Sequence, residues 1–283
     1  MPVIHENLAV RVPAWRWSLA ASSQRRGLQS LCEHVVAEAV VGLMVNGRTL
    51  LRFSCLPDRL DDLAVGFLRS EGLIDRAAQV TSVSVGPDDV RVEAEVPFDR
   101  FLRFFETVAL LSGCGRGGGT TADVPRVTSA ARFSPEACLA MMQHLQQASP
   151  LFDQTGGVHL AALAAGRQLA DCEVADCKVI DVAEDVGRHN AVDKVIGRRV
   201  RVAAPAECSF ADVMLLTTGR LSREIVSKAC RVGLPVVVSR SAPTSVAVEL
   251  ARGADLTLVG FVRGRRLNVY AAPWRLGLME NGR

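Results

Sequence analysis

Aromatic side chains are scarce in this sequence: Phe, Trp and Tyr make up 5% of its 283 residues. So few rings leave no stacking platform for single-stranded nucleic acid. A dominant charge is also missing. The 33 basic and 30 acidic residues leave a formal charge of +3, which argues against a general nucleic-acid binder, although arginines gather near the C-terminus. No apolar run approaches the ~18 residues that a membrane helix needs. In the N-terminal MPVIHENLAVRVPAWRWSLAASS the basic pair Arg25-Arg26 follows the apolar stretch, the wrong order for an export signal. The eight cysteines, at positions 32, 55, 114, 138, 172, 177, 208 and 230, lack the dense spacing of a disulfide scaffold. There is no internal repeat and no segment poor enough in apolar residues to stay disordered. These absences predict a cytoplasmic protein with reduced thiols and neither membrane nor nucleic acid as partner.

What is present is 49% hydrophobic and 22% charged, ample core for two ordinary domains or one large one. The first ~30 residues read as a polar, Ser/Arg-containing lead-in. AVVGLMVNGRTLLRFSC (39–55) places apolar runs on either side of Asn46-Gly47, the strongest short-range hairpin signal. RLDDLAVGFLRSEGLI carries Leu60, Leu63, Phe67 and Leu68 at helical period, VTSVSVGPDDVRVEAEV alternates around Gly86-Pro87, and PFDRFLRFFETVALL is helical again. Ser134 and Pro135 open a helix to Gln147 as cap and first residue. The second half alternates: GGVHLAALA reads as helix, LADCEVADCKVIDVAED as strand-rich, HNAVDKVIG as helix, DVMLLTTG as strand and LSREIVSKACRVG as helix. LPVVVSRS then reads as strand, TSVAVELARGA as helix and LTLVGFVRG as strand. That rhythm predicts a layered α/β domain. The expected division is a smaller α+β domain over 30–125 and an α/β domain over 126–275.

Four candidate sites emerge. In LLSGCGRGGGTT (110–121) four glycines follow Cys114. Gly113, Gly115 and Gly118 satisfy G-x-G-x-x-G, and Gly113, Gly118 and Thr120 nearly fit a P-loop. A helix precedes where a strand is needed, and Gly119 stands in the lysine position. No second cysteine lies at zinc-knuckle spacing, and His159 and His189 carry no H-x-E signature, so no zinc is expected. What remains is an accessible thiol whose thiolate Arg116 could favour, or a free cysteine in a turn. Second, Gly156, Gly157 and His159 in QTGGVHLAAL are expected to open a helix whose N-terminus could hold an anion. Third, EDVGRHNAVDKVIG packs Glu184, Asp185, Arg188, His189, Asn190, Asp193 and Lys194 between a strand and a helix. It is either a salt-bridged helix start or a ligand site. Fourth, the loops TTGRLS, SRSAPTS and FVRGRR hold Arg220, Ser222, Ser239, Arg240, Thr244, Arg263, Arg265 and Arg266. If the sheet is parallel there, these converge on one edge and could bind phosphates of a nucleotide-like ligand.

Together TGGVHLAAL, EDVGRHNAVDKVIG, TTGRLSREIVSKACRVGLPVVVSRSAPTS and LVGFVRGRRLNVY, with VNGRTLLRF and LAVGFLRSEGLI, resemble the FdhD family of formate dehydrogenase accessory sulfurtransferases over roughly residues 36–272. The resemblance implies a cytidine-deaminase-like α/β fold without the zinc site, joined to a smaller N-terminal domain in a homodimer. It implies a sulfur carrier that takes persulfide sulfur from a cysteine desulfurase. The carrier passes it to the molybdenum bis(guanine dinucleotide) cofactor, bound as substrate, for apo formate dehydrogenase. By the same resemblance Cys114 takes the position of the persulfide cysteine, and Phe261, Val262, Arg263, Gly264, Arg265 and Arg266 that of the cofactor-binding stretch. Gly117 stands where the family's Cys-Gly-x-Cys-Gly motif has its second cysteine. Persulfide carriage needs only one nucleophilic sulfur, so transfer can survive; a shuttle between two cysteines within this loop cannot operate. The alternative is a non-catalytic chaperone that holds the cofactor and docks on the apoenzyme.

Overall fold

The computed structural model describes residues 8–19, 26–112, 124–166, 177–202 and 209–278. The glycine-rich loop with Cys114 lies outside the described residues, as do Cys172 and Cys208. The expected lead-in is largely a two-stranded antiparallel ribbon of β1 (Ala9–Leu19) and β2 (Arg26–Val36). Its Trp15 and Trp17 are exposed. A four-stranded sheet follows, built from β3 (Ala39–Val45), β4 (Arg48–Cys55), β5 (Val80–Val85) and β6 (Asp89–Ala94) in the order β4-β3-β6-β5. Asn46 and Gly47 both take positive φ, 50° and 73°, which is what the tight turn of the first hairpin demands. Helix α1 (Leu60–Ser70) lies between the two hairpins and α2 (Phe98–Ser112) comes after them.

The second half begins with α3 (Pro135–Gln147). Ser134 Oγ accepts from Ala137 N at 3.0 Å and Pro135 sits in the first turn, as the sequence predicts. A short α4 (Pro150–Thr155) closes on Gly156 at φ 63°. Next come β7 (His159–Gly166), β8 (Cys177–Asp185), α5 (Arg188–Val202), β9 (Val213–Thr217) and α6 (Arg223–Val232). The chain continues through β10 (Val236–Ser239), α7 (Ser245–Gly253), β11 (Thr257–Arg263) and β12 (Arg266–Ala271). The expected helix at GGVHLAALA is therefore β7, a central strand. Gly156 and Gly157 end a helix and lead into that strand instead of opening a helix. Five consecutive buried residues, Leu160 to Ala164, leave no alternation to betray it.

The six-stranded sheet has the order β12-β11-β10-β9-β7-β8 and helices on both faces. Ala161, Leu163, Leu215 and Val237 point into a core shared with α5, α6 and α7. Leu160, Ala162, Leu216 and Val238 point into a second core under α3. The first core continues through Val41, Leu43 and Val92 of the smaller sheet and through Leu63 and Val65 of α1. The smaller unit is thus packed on the larger through α1 against α5. Among the described residues, no helix is long and apolar enough to cross a membrane.

Candidate functional site

Strand direction decides which residues meet. β9, β10 and β11 are parallel, while β7 is antiparallel to β9 and β8 antiparallel to β7. The carboxyl ends of β8 to β11 therefore share one edge with the amino ends of β7 and β12. The described candidates gather there. Gly156, Gly157 and His159 enter β7; Arg188, His189 and Asn190 open α5. Arg220 and Ser222 follow β9, Ser239 and Thr244 bracket the loop after β10, and Phe261 to Arg266 form the β11–β12 turn. Open α/β sheets bind ligands at this carboxyl edge.

Main-chain hydrogen bonds stitch the loops together. Leu221 N donates to Ala242 O at 3.0 Å and Thr244 N to Leu221 O at 2.9 Å, while Phe261 N donates to Ser241 O at 3.0 Å. Gly260 suits this seam, because a Cβ there would crowd Ser241 O at 3.0 Å. Phe261 holds a left-handed φ of 52°, and Arg263 Nε donates to Arg240 O at 3.1 Å. The turn thus presents Arg263, Gly264, Arg265 and Arg266 to solvent, whereas Val262 is buried in the core under α3. Any contact from Val262 to a ligand would come through its backbone.

The structure also separates supports from free groups. Ser239 Oγ is buried, donating to Gly219 O at 2.6 Å and accepting from Ser241 N at 3.0 Å, so it fixes the loops and is not available. Thr244 Oγ1 caps α7 by accepting from Ala247 N. Asn190 Nδ2 donates to Ser54 O at 2.8 Å and to Asp185 Oδ1 at 2.9 Å. Asp185 and Lys194 form a fully buried ion pair at 2.8 Å. Asp185 Oδ2 accepts from Leu56 N at 3.1 Å, and Lys194 Nζ donates to Leu56 O at 3.2 Å. Half of the polar motif at 184–194 is therefore a clamp that holds the end of β4 against α5.

Arg188 and His189 are left over, whereas the Ser222 hydroxyl hydrogen-bonds the Glu224 carboxylate. His189 Nε2 lies 3.4 Å from Ser222 Oγ, and that hydroxyl sits at the start of α6 without capping it. Burial, then the neighbouring Arg188 and Lys228, push the His189 imidazole down to about 4. Burial and Arg188 lower His159 as well. Both rings are neutral at pH 7. Thr218, which the sequence reading passed over, ties the edge to β7: its N–H donates to Leu160 O and its Oγ1 accepts from Leu160 N, both at 3.0 Å. The second hydroxyl in TTG was its only signal.

A pH dependence follows from the His189 shift. Between pH 6.5 and about 4 the unfolded chain takes a proton on this ring and the native state does not. Stability contributed above pH 6.5 is therefore lost as pH falls through that window. The effect is up to about 3 kcal/mol, reduced by the solvent that still reaches the ring. His189→Gln is expected to flatten the pH 4–6.5 limb in urea titrations; an unchanged slope would refute it.

Among the described residues, no group of three or more His, Cys, Asp and Glu side chains could hold a metal ion. Of the described cysteines, Cys55, Cys138, Cys177 and Cys230 are buried, and Cys32 is exposed. Burial pushes the Cys55 thiol up to about 11 and those of Cys138 and Cys230 to about 12, which makes them poor nucleophiles.

A family model described as the FdhD/NarQ family matches residues 36–277, which includes both sheets and all of these loops. The chain belongs to the FdhD/NarQ family. The sulfur carrier protein FdhD of Anaeromyxobacter sp. (strain K) is 39% identical over 264 residues, covering 86% of this chain and 88% of that protein. The sulfur carrier protein FdhD of Bacillus subtilis (strain 168) is 33% identical over 251 residues, covering 86% and 90%. The crystal structure of a proposed formate dehydrogenase accessory protein from Desulfotalea psychrophila superposes with a TM-score of 0.70 at 27% identity, covering 95% of this chain and 99% of that one. The FdhD/NarQ match reaches beyond the expected limit of 272 to residue 277, taking in Trp274 and the buried Arg275.

Proposed function

We propose that this protein is a sulfur carrier for formate dehydrogenase maturation. It takes persulfide sulfur from a cysteine desulfurase onto Cys114 and delivers it to the molybdenum cofactor of that enzyme. The observation that carries the reading is the likeness, over most of the chain, to relatives named as sulfur carriers. The site geometry agrees with it, since Arg263, Arg265 and Arg266 stand together on an exposed turn beside Arg240. Such a turn suits the phosphates of a nucleotide arm. In the loading step the Cys114 thiolate attacks the terminal sulfur of the donor persulfide. The donor's S–S bond breaks and its cysteine leaves as thiolate, so no outside oxidant is needed. Helices on both faces of the larger sheet support a cytidine-deaminase-like layering, and the protein is read as a cytoplasmic homodimer.

The test is to incubate the protein with a cysteine desulfurase and cysteine, then map persulfide over all eight cysteines by mass spectrometry. The label is expected on Cys114, and Cys114→Ser is expected to lose it. A serine variant labelled to full yield would end the assignment. The chaperone reading has one specific support, Gly117 in place of a second cysteine. It requires that Cys114→Ala still mature formate dehydrogenase in vivo while Arg263→Ala does not.

A further inference from the structure

We propose that the outer face of α2 is where the sulfur donor docks: Phe98, Leu102 and Phe105 form an apolar row that receives the protein carrying the persulfide. This rests on the carrier reading and names the surface through which Cys114 is loaded.

Helix α2 has two apolar faces where a surface helix needs one. The inner face holds it in place. Phe101 and Phe104 pack against the first core, and the Phe104 ring meets that of Phe67 on α1 edge-on, 5.8 Å between centroids. Positions 98, 102 and 105 follow the i, i+4, i+7 spacing of a single helix face. That face meets solvent: Phe98 is 72% exposed, Leu102 49% and Phe105 48%. The charges on its flanks are already used. Arg103 pairs with Asp99 along the helix, and Arg100 pairs with Asp75 at 2.8 Å. What the face offers a partner is therefore apolar area.

The size of the row, its distance from Cys114 and the anchoring of α2 select the occupant. The row exposes roughly 300 Å² of apolar surface. A stable dimer needs about 800 Å² from each copy, so the row suits the centre of a short-lived contact, which a carrier must release after each loading. From Ser112, where α2 ends, to Cys114 is two residues, at most about 7 Å of chain. Phe105 lies seven residues before that end, about 10 Å along the helix. A protein that brings a persulfide sulfur to Cys114 meets the row on the same approach. The helix is also anchored away from the cofactor's edge. Arg100 Nη1 donates to Gly72 O at 3.1 Å, and a Cβ on Gly72 would stand 3.7 Å from Arg231 Cδ in the last turn of α6. α6 leaves the carboxyl end of β9 and returns to the amino end of the parallel β10, so that last turn lies at the other edge of the sheet. A donor on α2 leaves the arginine-bearing turn open.

Loading of Cys114 by a purified cysteine desulfurase with excess cysteine, followed by mass spectrometry, tests the face. Leu102→Asp, and separately Phe98→Gln combined with Phe105→Gln, are expected to raise the desulfurase concentration for half-maximal loading about tenfold. The maximal rate stays. Val40→Thr, at an exposed position of β3, is expected to change neither. Cysteine persulfide, a donor with no protein surface, is expected to load every variant at the wild-type rate. Salt should leave the half-maximal concentration unchanged, because the charges around the row are paired within the chain. A folded Leu102→Asp protein loaded like wild type, or a half-maximal concentration that climbs with salt, overturns the apolar docking face. Slower loading from cysteine persulfide as well puts the defect in the thiol, and overturns it too. Dissociation of a wild-type oligomer by Leu102→Asp makes a second copy the occupant and overturns the donor. If wild-type Cys114 takes sulfur from neither donor, the carrier reading fails and this face with it. If it takes sulfur equally well with and without the row, the docking face alone fails.

Discussion

Gly197→Val is expected to leave the protein largely unfolded at 25 °C. Gly197 on α5 and Gly66 on α1 are where the two helices touch backbone to backbone. A Cβ on Gly197 would stand 1.8 Å from Asp62 O, and one on Gly66 1.7 Å from Asp193 O. Neither neighbour is a side chain that could rotate away, so the helices themselves must separate. Overpacking usually costs about 1–3 kcal/mol. Parting two helices that share a core and the buried ion pairs around Asp62 and Asp193 belongs to the exceptional class above about 4 kcal/mol, against a total stability of about 5–15 kcal/mol. The sign is diagnostic even for alanine. In an exposed helix Gly→Ala gains up to about 1 kcal/mol, and Gly253→Ala on α7, where a Cβ meets nothing within 4 Å, should do so. Gly197→Ala should instead lose stability. Urea unfolding of the three variants decides the matter, and a Gly197→Ala protein at least as stable as the parent would sink it. The consequence reaches the site, because α5 carries Arg188 and His189 at its first turn.

The same residues show why some of the fold was legible and some was not. Where one short stretch determines the geometry, the sequence reading held: the Asn46-Gly47 turn and the Ser134-Pro135 cap need only their own neighbours. β7 defeated it because HLAALAAG is alanine-rich, with helix-forming residues, and is buried on both faces. Its strand identity comes from β8 and β9 on either side of it, which no local pattern contains. The β1–β2 ribbon was hidden differently. Pro13, Arg11 and Arg16 interrupt its alternation, and much of it is exposed, so hydrophobic period carries little signal there.

The candidate site divides along the same line. That the loops after β8, β9, β10 and β11 converge follows from an α/β rhythm that is visible in the sequence. Which of their polar residues are free does not. Asn190 reaches Ser54, Asp185 reaches Leu56, and Ser239 reaches Gly219, all contacts between residues distant in sequence. Arg188 stands out only once those partners are subtracted. Gly219 matters only because the arginine lies on it. The two helix glycines at 66 and 197 were equally silent, since glycine inside a helical pattern reads as a weakness until the opposing helix is seen.

Lys228→Met is expected to cost about 3–5 kcal/mol, the range for breaking one partner out of a buried pair. Lys228 Nζ donates to Asp193 Oδ1 at 3.0 Å and Oδ2 at 2.9 Å and to Ser70 Oγ at 2.9 Å, and it pairs with Glu71 at 2.8 Å. Against the cost of burial, Asp193 and Glu71 raise the lysine, while Lys228 and Arg231 lower Glu71, so the ammonium is charged in the fold. Without it, Asp193 is a carboxylate 1% exposed with only Ser70 Oγ, at 2.6 Å, to hold it. Burial already pushes the Asp193 carboxyl up to about 6, and losing the ammonium raises it further. An acid whose folded pKa lies above its unfolded one binds more protons when native, so stability falls as pH rises through that window. The Lys228→Met deficit should therefore be smaller at pH 5 than at pH 8 in urea titrations. Adding Asp193→Leu should recover much of it at pH 8, because an apolar pair of similar volume replaces a buried ion pair at little cost. A deficit equal at both pH values, or deepened by the second substitution, would show that the cluster does not act through the charge on Asp193.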